Sequence, residues 1–106
     1  MVSEQEMERA LRWMATTDTE FADWRVQTLR TEYMAEVAEA MVYKLMEGSI
    51  EDRKKAAKAS PEVKKAMDEH FAAVRGYEVL KAQRKSAELL IETWRSVNAN
   101  RRVGNV

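Results

Sequence analysis

One proline and three glycines occur in 106 residues, and they leave two long stretches of which only the second is interrupted, by Gly76. Gly48 and the Ser60-Pro61 step stand in the middle of the chain. Proline ends helices because it lacks an N–H and clashes with the preceding turn, and glycine because its backbone is too free. Ala, Glu, Lys, Arg and Met, all good helix formers, are abundant instead. This is the composition of long helices.

Start and stop signals set the expected elements. Ser3 followed by Glu6 has the spacing of a capping box and opens a short helix over 3–14. Thr16-Thr17-Asp18-Thr19 joins poor helix-interior residues that are good N-caps, which predicts a break and a second helix over about 19–47. Gly48 is the expected closing residue of that helix. Ser49 caps a short basic helix over 50–58, and Ser60 with Pro61 at the first helical position opens a long helix over 61–97. Residues 98–106 read as a flexible basic tail. The expected fold is all-α, one domain over 1–106. A long antiparallel helical hairpin with short additional helices would assemble as a helical-bundle oligomer.

Apolar spacing refines this. On the second helix Val26, Leu29, Tyr33, Val37, Met41 and Leu45 recur at three and four residues and read as the core stripe. Phe21, Trp24, Met34, Ala38 and Val42 form a second edge, and two stripes imply more than one partner helix. On the last helix Val63, His70, Tyr77, Arg84 and Ile91 recur by sevens, followed three residues on by Ala66, Ala73, Leu80, Ala87 and Trp94. The last helix is too long for its own molecule to cover. Trp13, Phe21, Trp24, Met34 and Trp94 are therefore the expected oligomer interface, in a homo-oligomer.

The chain carries no net charge, yet the charge is unevenly distributed. Residues 1–48 hold five basic and ten acidic residues, a net −5; residues 49–106 hold thirteen and eight, a net +5. Such a split suits head-to-tail self-association or binding of a polyanion by the C-terminal half. Catalysis has little to work with. His70 is the single histidine and there is no cysteine, so neither a histidine-based triad nor a two-histidine or thiolate metal site forms within one chain. Glu51-Asp52 and Asp68-Glu69 are adjacent in sequence and diverge around their helices. Gly-rich phosphate loops are missing. A non-enzyme without cofactor or metal is expected. The apolar runs fall far short of the ~20 residues that span a bilayer, and no secretory signal is visible, so a soluble, cytoplasmic protein with no membrane partner is expected.

Two basic clusters are candidate nucleic-acid contacts. Arg53, Lys54, Lys55 and Lys58, followed by Lys64-Lys65, crowd six cations into residues 53–65. Lys81, Arg84 and Lys85 interrupt the apolar pattern of the last helix. Arg84 reads either as the partner of Glu36 or Glu39 on a facing helix or as part of a basic band on phosphate. Phe71, Tyr77 and Trp94 fit core packing, with base stacking as the alternative.

The run Leu29–Lys58, with Glu32-Tyr33, Ala38-Glu39-Ala40, Tyr43-Lys44-Leu45 and Glu47-Gly48-Ser49-Ile50-Glu51-Asp52-Arg53-Lys54-Lys55-Ala56, resembles a small-protein family of tailed bacteriophages. Gly76-Tyr77-Glu78-Val79-Leu80-Lys81-Ala82-Gln83-Arg84, then Leu90-Ile91-Glu92 and Arg95–Arg101, extend the similarity. That family accompanies phage recombination genes and is more distantly similar to the UvsY-like recombination mediators. The resemblance implies a helical oligomer in the cytoplasm of an infected bacterium. It would bind single-stranded DNA non-specifically and assist a recombinase or annealing protein against single-strand binding protein. It places DNA contact on Arg53, Lys54, Lys55 and Lys58, and leaves residues 1–20 unassigned. The alternative is a helical protein–protein adaptor or assembly factor that binds no nucleic acid.

Overall fold

The computed structural model describes residues 1–104. Three helices and no strand occur among them: α1 (Glu4–Leu45), α2 (Ile50–Ala59) and α3 (Pro61–Gly104). The all-α expectation holds, and the capping signals work as read. Ser3 Oγ accepts from the Glu6 N–H at 3.1 Å, and Ser49 Oγ accepts from the Asp52 N–H at 3.2 Å. Ser60 Oγ accepts from the Val63 N–H and donates to the Ala57 carbonyl, so one hydroxyl closes α2 and opens α3. Gly48 adopts φ +114°, a left-handed conformation that side-chain-bearing residues rarely take.

Two expected boundaries are corrected. The break at 16–19 does not form, because Thr16 and Thr17 donate their hydroxyls back to the Trp13 carbonyl at 3.0 and 2.9 Å. Bonded within the helix, they do not compete for a cap. The tail expected at 98–106 is helical through Gly104, and Asn98 Nδ2 donates to the Trp94 carbonyl one turn back. The last two residues of that expected tail lie outside the described residues.

The chain divides into two compact units, Met1–Ala22 with Glu78–Val106, and Asp23–Tyr77. In the first, the α1 and α3 segments run antiparallel: Arg84 bonds to residues 14–18 of α1, and Arg101 Nη2 donates to Met1 Sδ at 3.2 Å. Met7 and Thr17 are buried on one side and Leu80 and Ile91 on the other. In the second unit, Trp24 meets Gly76 and Thr31 meets His70, so the segments are again antiparallel. Its closed end is a cluster of Val42, Ala57 and Val63, with Ala38, Tyr43, Met46 and Met67 packed around it. Ala57 is fully buried, which is how a helix of mean polar character stays attached.

The α3 seam is the one read from the spacing by sevens: Val63, Ala73, Leu80 and Ile91 are buried and His70, Tyr77 and Arg84 half-buried. The α1 stripe is corrected. Val26, Leu29, Tyr33, Met41 and Leu45 are exposed, Leu45 to 83%. The buried face of α1 instead carries Met7, Thr17, Thr31, Ala35 and Val42, with Met14, Phe21, Trp24, Thr28 and Ala38 half-buried. That sequence is spaced by sevens with a second row three residues on, the repeat of a coiled-coil seam. Phe71, expected in the core, is 58% exposed.

Small residues on that seam let the helices approach closely. A Cβ at Gly76 would lie 2.5–2.7 Å from three ring atoms of Trp24. Alanine in a helix gains about 1 kcal/mol over glycine, whereas forcing extra volume into a packed seam costs about 1–3 kcal/mol. Gly76→Ala therefore destabilises the wild-type chain, and the same change made beside Trp24→Ala stabilises it by about 1 kcal/mol. Urea denaturation of the single and double variants measures this reversal of sign.

Candidate nucleic-acid interface

The basic residues divide into those that are used inside the fold and those that are not. Arg84 is used. Its Nη1 donates to the Met14 carbonyl at 2.9 Å and to Thr17 Oγ1 at 2.6 Å, and its Nη2 pairs with Asp18. The guanidinium lies 5.0 Å from the Phe21 ring centroid, and its side chain is 14% exposed. An arginine in a helix seam keeps its charge only where oxygens and a π face replace water, and this site supplies both. The carboxylate partner is Asp18, not Glu36 or Glu39, the partners offered by one of the two sequence readings. The antiparallel register brings Arg84 level with residues 14–18, a stretch read from sequence as an interhelical break.

Lys85 lies 3.6 Å from Glu88 one turn on, and Lys81 is exposed. Lys81 and Lys85 line one groove with the clamped Arg84, beside Phe21, Glu78 and Glu88.

Arg53 is likewise engaged in the fold. Its guanidinium stacks 4.2 Å from the Tyr43 ring centroid and Nη2 donates to the Tyr43 carbonyl at 3.1 Å, near the C-terminus of α1. Its buried Nε has no partner. Arginine thus ties α2 to α1 through Tyr43. Lys54, Lys55, Lys58, Lys64 and Lys65 are exposed, and none forms an ion pair among the described residues. They cluster where α2 ends and α3 begins. Lys64 and the exposed Phe71 stand seven residues apart on one face of α3, about 10 Å along the axis. Asp68 and Glu69 are exposed in the same stretch and confine the basic surface to the α2–α3 end. A shallow groove lined by Glu36, Glu39, Tyr43 and Lys54 brings carboxylates to the Lys54 side of α2.

The halves of the sequence do not become poles. The Asp23–Tyr77 unit holds ten basic and ten acidic residues, and the other unit eight and eight. Antiparallel pairing sets the acidic strand of sequence beside the basic one and neutralises each unit. Each unit is neutral as a whole, so an anion site within it rests on a local cluster of cations.

Of the expected oligomer-interface residues, Phe21 packs beneath Arg84 and Trp24 on Gly76, both within their own units. Trp13 and Trp94 are half-buried, Trp13 lining a shallow groove with Ala87 and Leu90, and Met34 is exposed. The seam histidine was legible as such: Thr31 Oγ1 lies 2.8 Å from the Gln27 carbonyl and 3.0 Å from His70 Nδ1. With the hydroxyl proton committed to Gln27, His70 Nδ1–H is the donor to Thr31. No group of three His, Cys, Asp or Glu side chains is arranged to hold a metal ion, and no helix is long and apolar enough to cross a membrane, among the described residues. No protein-family model matches the chain, nor does any curated protein or solved structure.

Arg84→Ala removes bonds to a charged donor from a half-buried seam and costs about 2 kcal/mol of stability. Asp18→Asn, at an exposed carboxylate, costs well under 1 kcal/mol. Thermal unfolding of the two variants separates a seam arginine from a surface ion pair: equal, small losses would show that Asp18 alone holds it.

Proposed function

We propose that the protein is a non-enzymatic accessory factor of the recombination-mediator type, which holds single-stranded DNA on the lysines at the α2–α3 end and works as an assembly of helices. The observation that supports this reading is the set Lys54, Lys55, Lys58, Lys64 and Lys65, all exposed and without ion-pair partners among the described residues. Unpaired lysines on short helical surfaces meet phosphate as point charges and release counterions, giving affinity that is independent of base sequence and steeply dependent on salt. Phe71, exposed on the face of Lys64, offers a ring on which a base can stack. Arg53 and Arg84 belong to the fold and are not phosphate contacts in this reading. Recruitment of a recombinase or annealing protein, displacing single-strand binding protein, belongs to the same proposal and rests on the family resemblance. So does action in the cytoplasm of a phage-infected bacterium.

A second reading has its own observation. The outer face of α1 leaves large apolar side chains in solvent, which favours a helical adaptor whose partner is protein alone. One titration decides between them. Lys55→Ala with Lys58→Ala changes exposed side chains and leaves stability within ~0.5 kcal/mol. Under the first reading the double variant binds an oligothymidylate more weakly, and the slope of log affinity against log salt flattens by about 0.7 per lost contact. Absence of binding by the wild-type chain at low salt rejects the first reading in favour of the adaptor.

A further inference from the structure

Within the Asp23–Tyr77 unit, one surface remains unexplained by packing or by charge. Val26, Leu29, Tyr33, Met34 and Met41 are each more than half exposed, and they follow one another along the side of α1 turned away from the seam. They extend over ~22 Å of helix at 1.5 Å per residue. The α2 helix engages α1 through Tyr43 and Val42 and leaves this side open. Hydrophobic residues scattered singly on a surface mean little, but a continuous row on one helix face marks a contact.

The charges on this face identify what covers it. Asp23, Arg30, Val37 and Lys44 recur by sevens within the arc of the apolar row, and Asp23, Arg30 and Lys44 are exposed without ion-pair partners among the described residues. Laid parallel on a second copy, the row opposes Asp23 to Asp23, Arg30 to Arg30 and Lys44 to Lys44. Laid antiparallel about Tyr33–Met34, it brings Lys44 level with the second copy's Asp23 at both ends. It also brings Val26 level with Ala40–Met41, and Arg30 level with Glu36–Val37. The acid-to-base order of the row is thus complementary to itself reversed. We infer that this face of α1 is the contact between two copies of the chain, which pair antiparallel across a two-fold axis passing beside Tyr33. Twofold pairing through one self-complementary patch is the simplest closed assembly. The inference supplies the assembly in the proposed function but does not require that DNA be bound.

The chain has no cysteine, so cross-linking reads the geometry directly. A disulfide forms only where two Cα atoms come within ~7 Å, so a single introduced cysteine cross-links two copies only if it lies close to their two-fold axis. Tyr33→Cys should oxidise to a covalent dimer, whereas Asp68→Cys, exposed on α3, should not. In sedimentation equilibrium, Lys44→Glu should weaken the wild-type dimer by ~10-fold or more, since two like-charge contacts replace two attractive ones. Adding Asp23→Lys should restore the dimer, which also shows that the loss did not come from misfolding. A chain that stays monomeric up to ~100 µM, a dimer indifferent to Lys44→Glu, or cross-linking through Asp68→Cys in preference to Tyr33→Cys overturns the inference. All three tests omit nucleic acid, so their failure leaves the DNA titration to be judged separately.

Discussion

The close approach of Trp24 to Gly76 is the constraint from which the Asp23–Tyr77 unit takes its register. A tryptophan ring occupying the place of a Cβ fixes its partner to a single residue of α3, since each neighbouring position of the seam carries a side chain. With that pair set, Thr31 falls opposite His70, and Val42 reaches Val63 and the buried Ala57. Slipping the pairing by one helical turn would drive the ring into a larger side chain and separate the Thr31–His70 bond. Packing volume thus sets the alignment, and hydrogen bonds confirm it at fixed intervals.

Much of this could be read from the chain because the signals are local. Ser3, Ser49, Ser60-Pro61 and Gly48 act through the backbone within a few residues of themselves, so their meaning does not depend on tertiary context. The α3 seam was legible for a different reason: it combines large apolar residues with alanines in an unbroken spacing by sevens. The α1 seam was hidden by its composition. Thr17, Thr28, Thr31, Ala35 and Ala38 are small or nominally polar, whereas Leu29, Tyr33 and Met41 on the outer side are larger and more apolar. A reading weighted by hydrophobicity chooses the outer row. What decides burial is how near two helix axes come, and small residues win there. The threonines cost little, since each donates its hydroxyl to its own helix and offers its methyl to the seam.

The same reasoning explains the candidate site. Sequence showed a run of cations but not which were committed, because commitment depends on a partner far along the chain. Arg84 needed residues 14–18, and these were assigned to a break. Arg53 needed Tyr43, across the glycine turn. Arginine took the structural positions in both cases. Its planar fork bonds carbonyls and lies on a ring at once, which a lysine ammonium does not do. Lys54, Lys55, Lys58, Lys64 and Lys65 remain outside, exposed to water.

The placement of α2 between the two long helices also dictates an order of assembly. Contacts near this corner close short loops, such as the ten residues between Tyr43 and Arg53, whereas Thr31–His70 spans 39 and Thr17–Arg84 spans 67. Closing a loop of the longest kind costs about 1.7 kcal/mol more entropy than closing the shortest. Each contact made nearer the corner shortens the loop that the next must close. Loop-closure entropy therefore favours pairing from the glycine turn outward, and contacts between the two ends bear the largest closure cost. On that account a loss at Met1 or Arg101 removes the costliest closure, whereas a change at the glycine turn removes the shortest loop, on which the corner and its lysines depend.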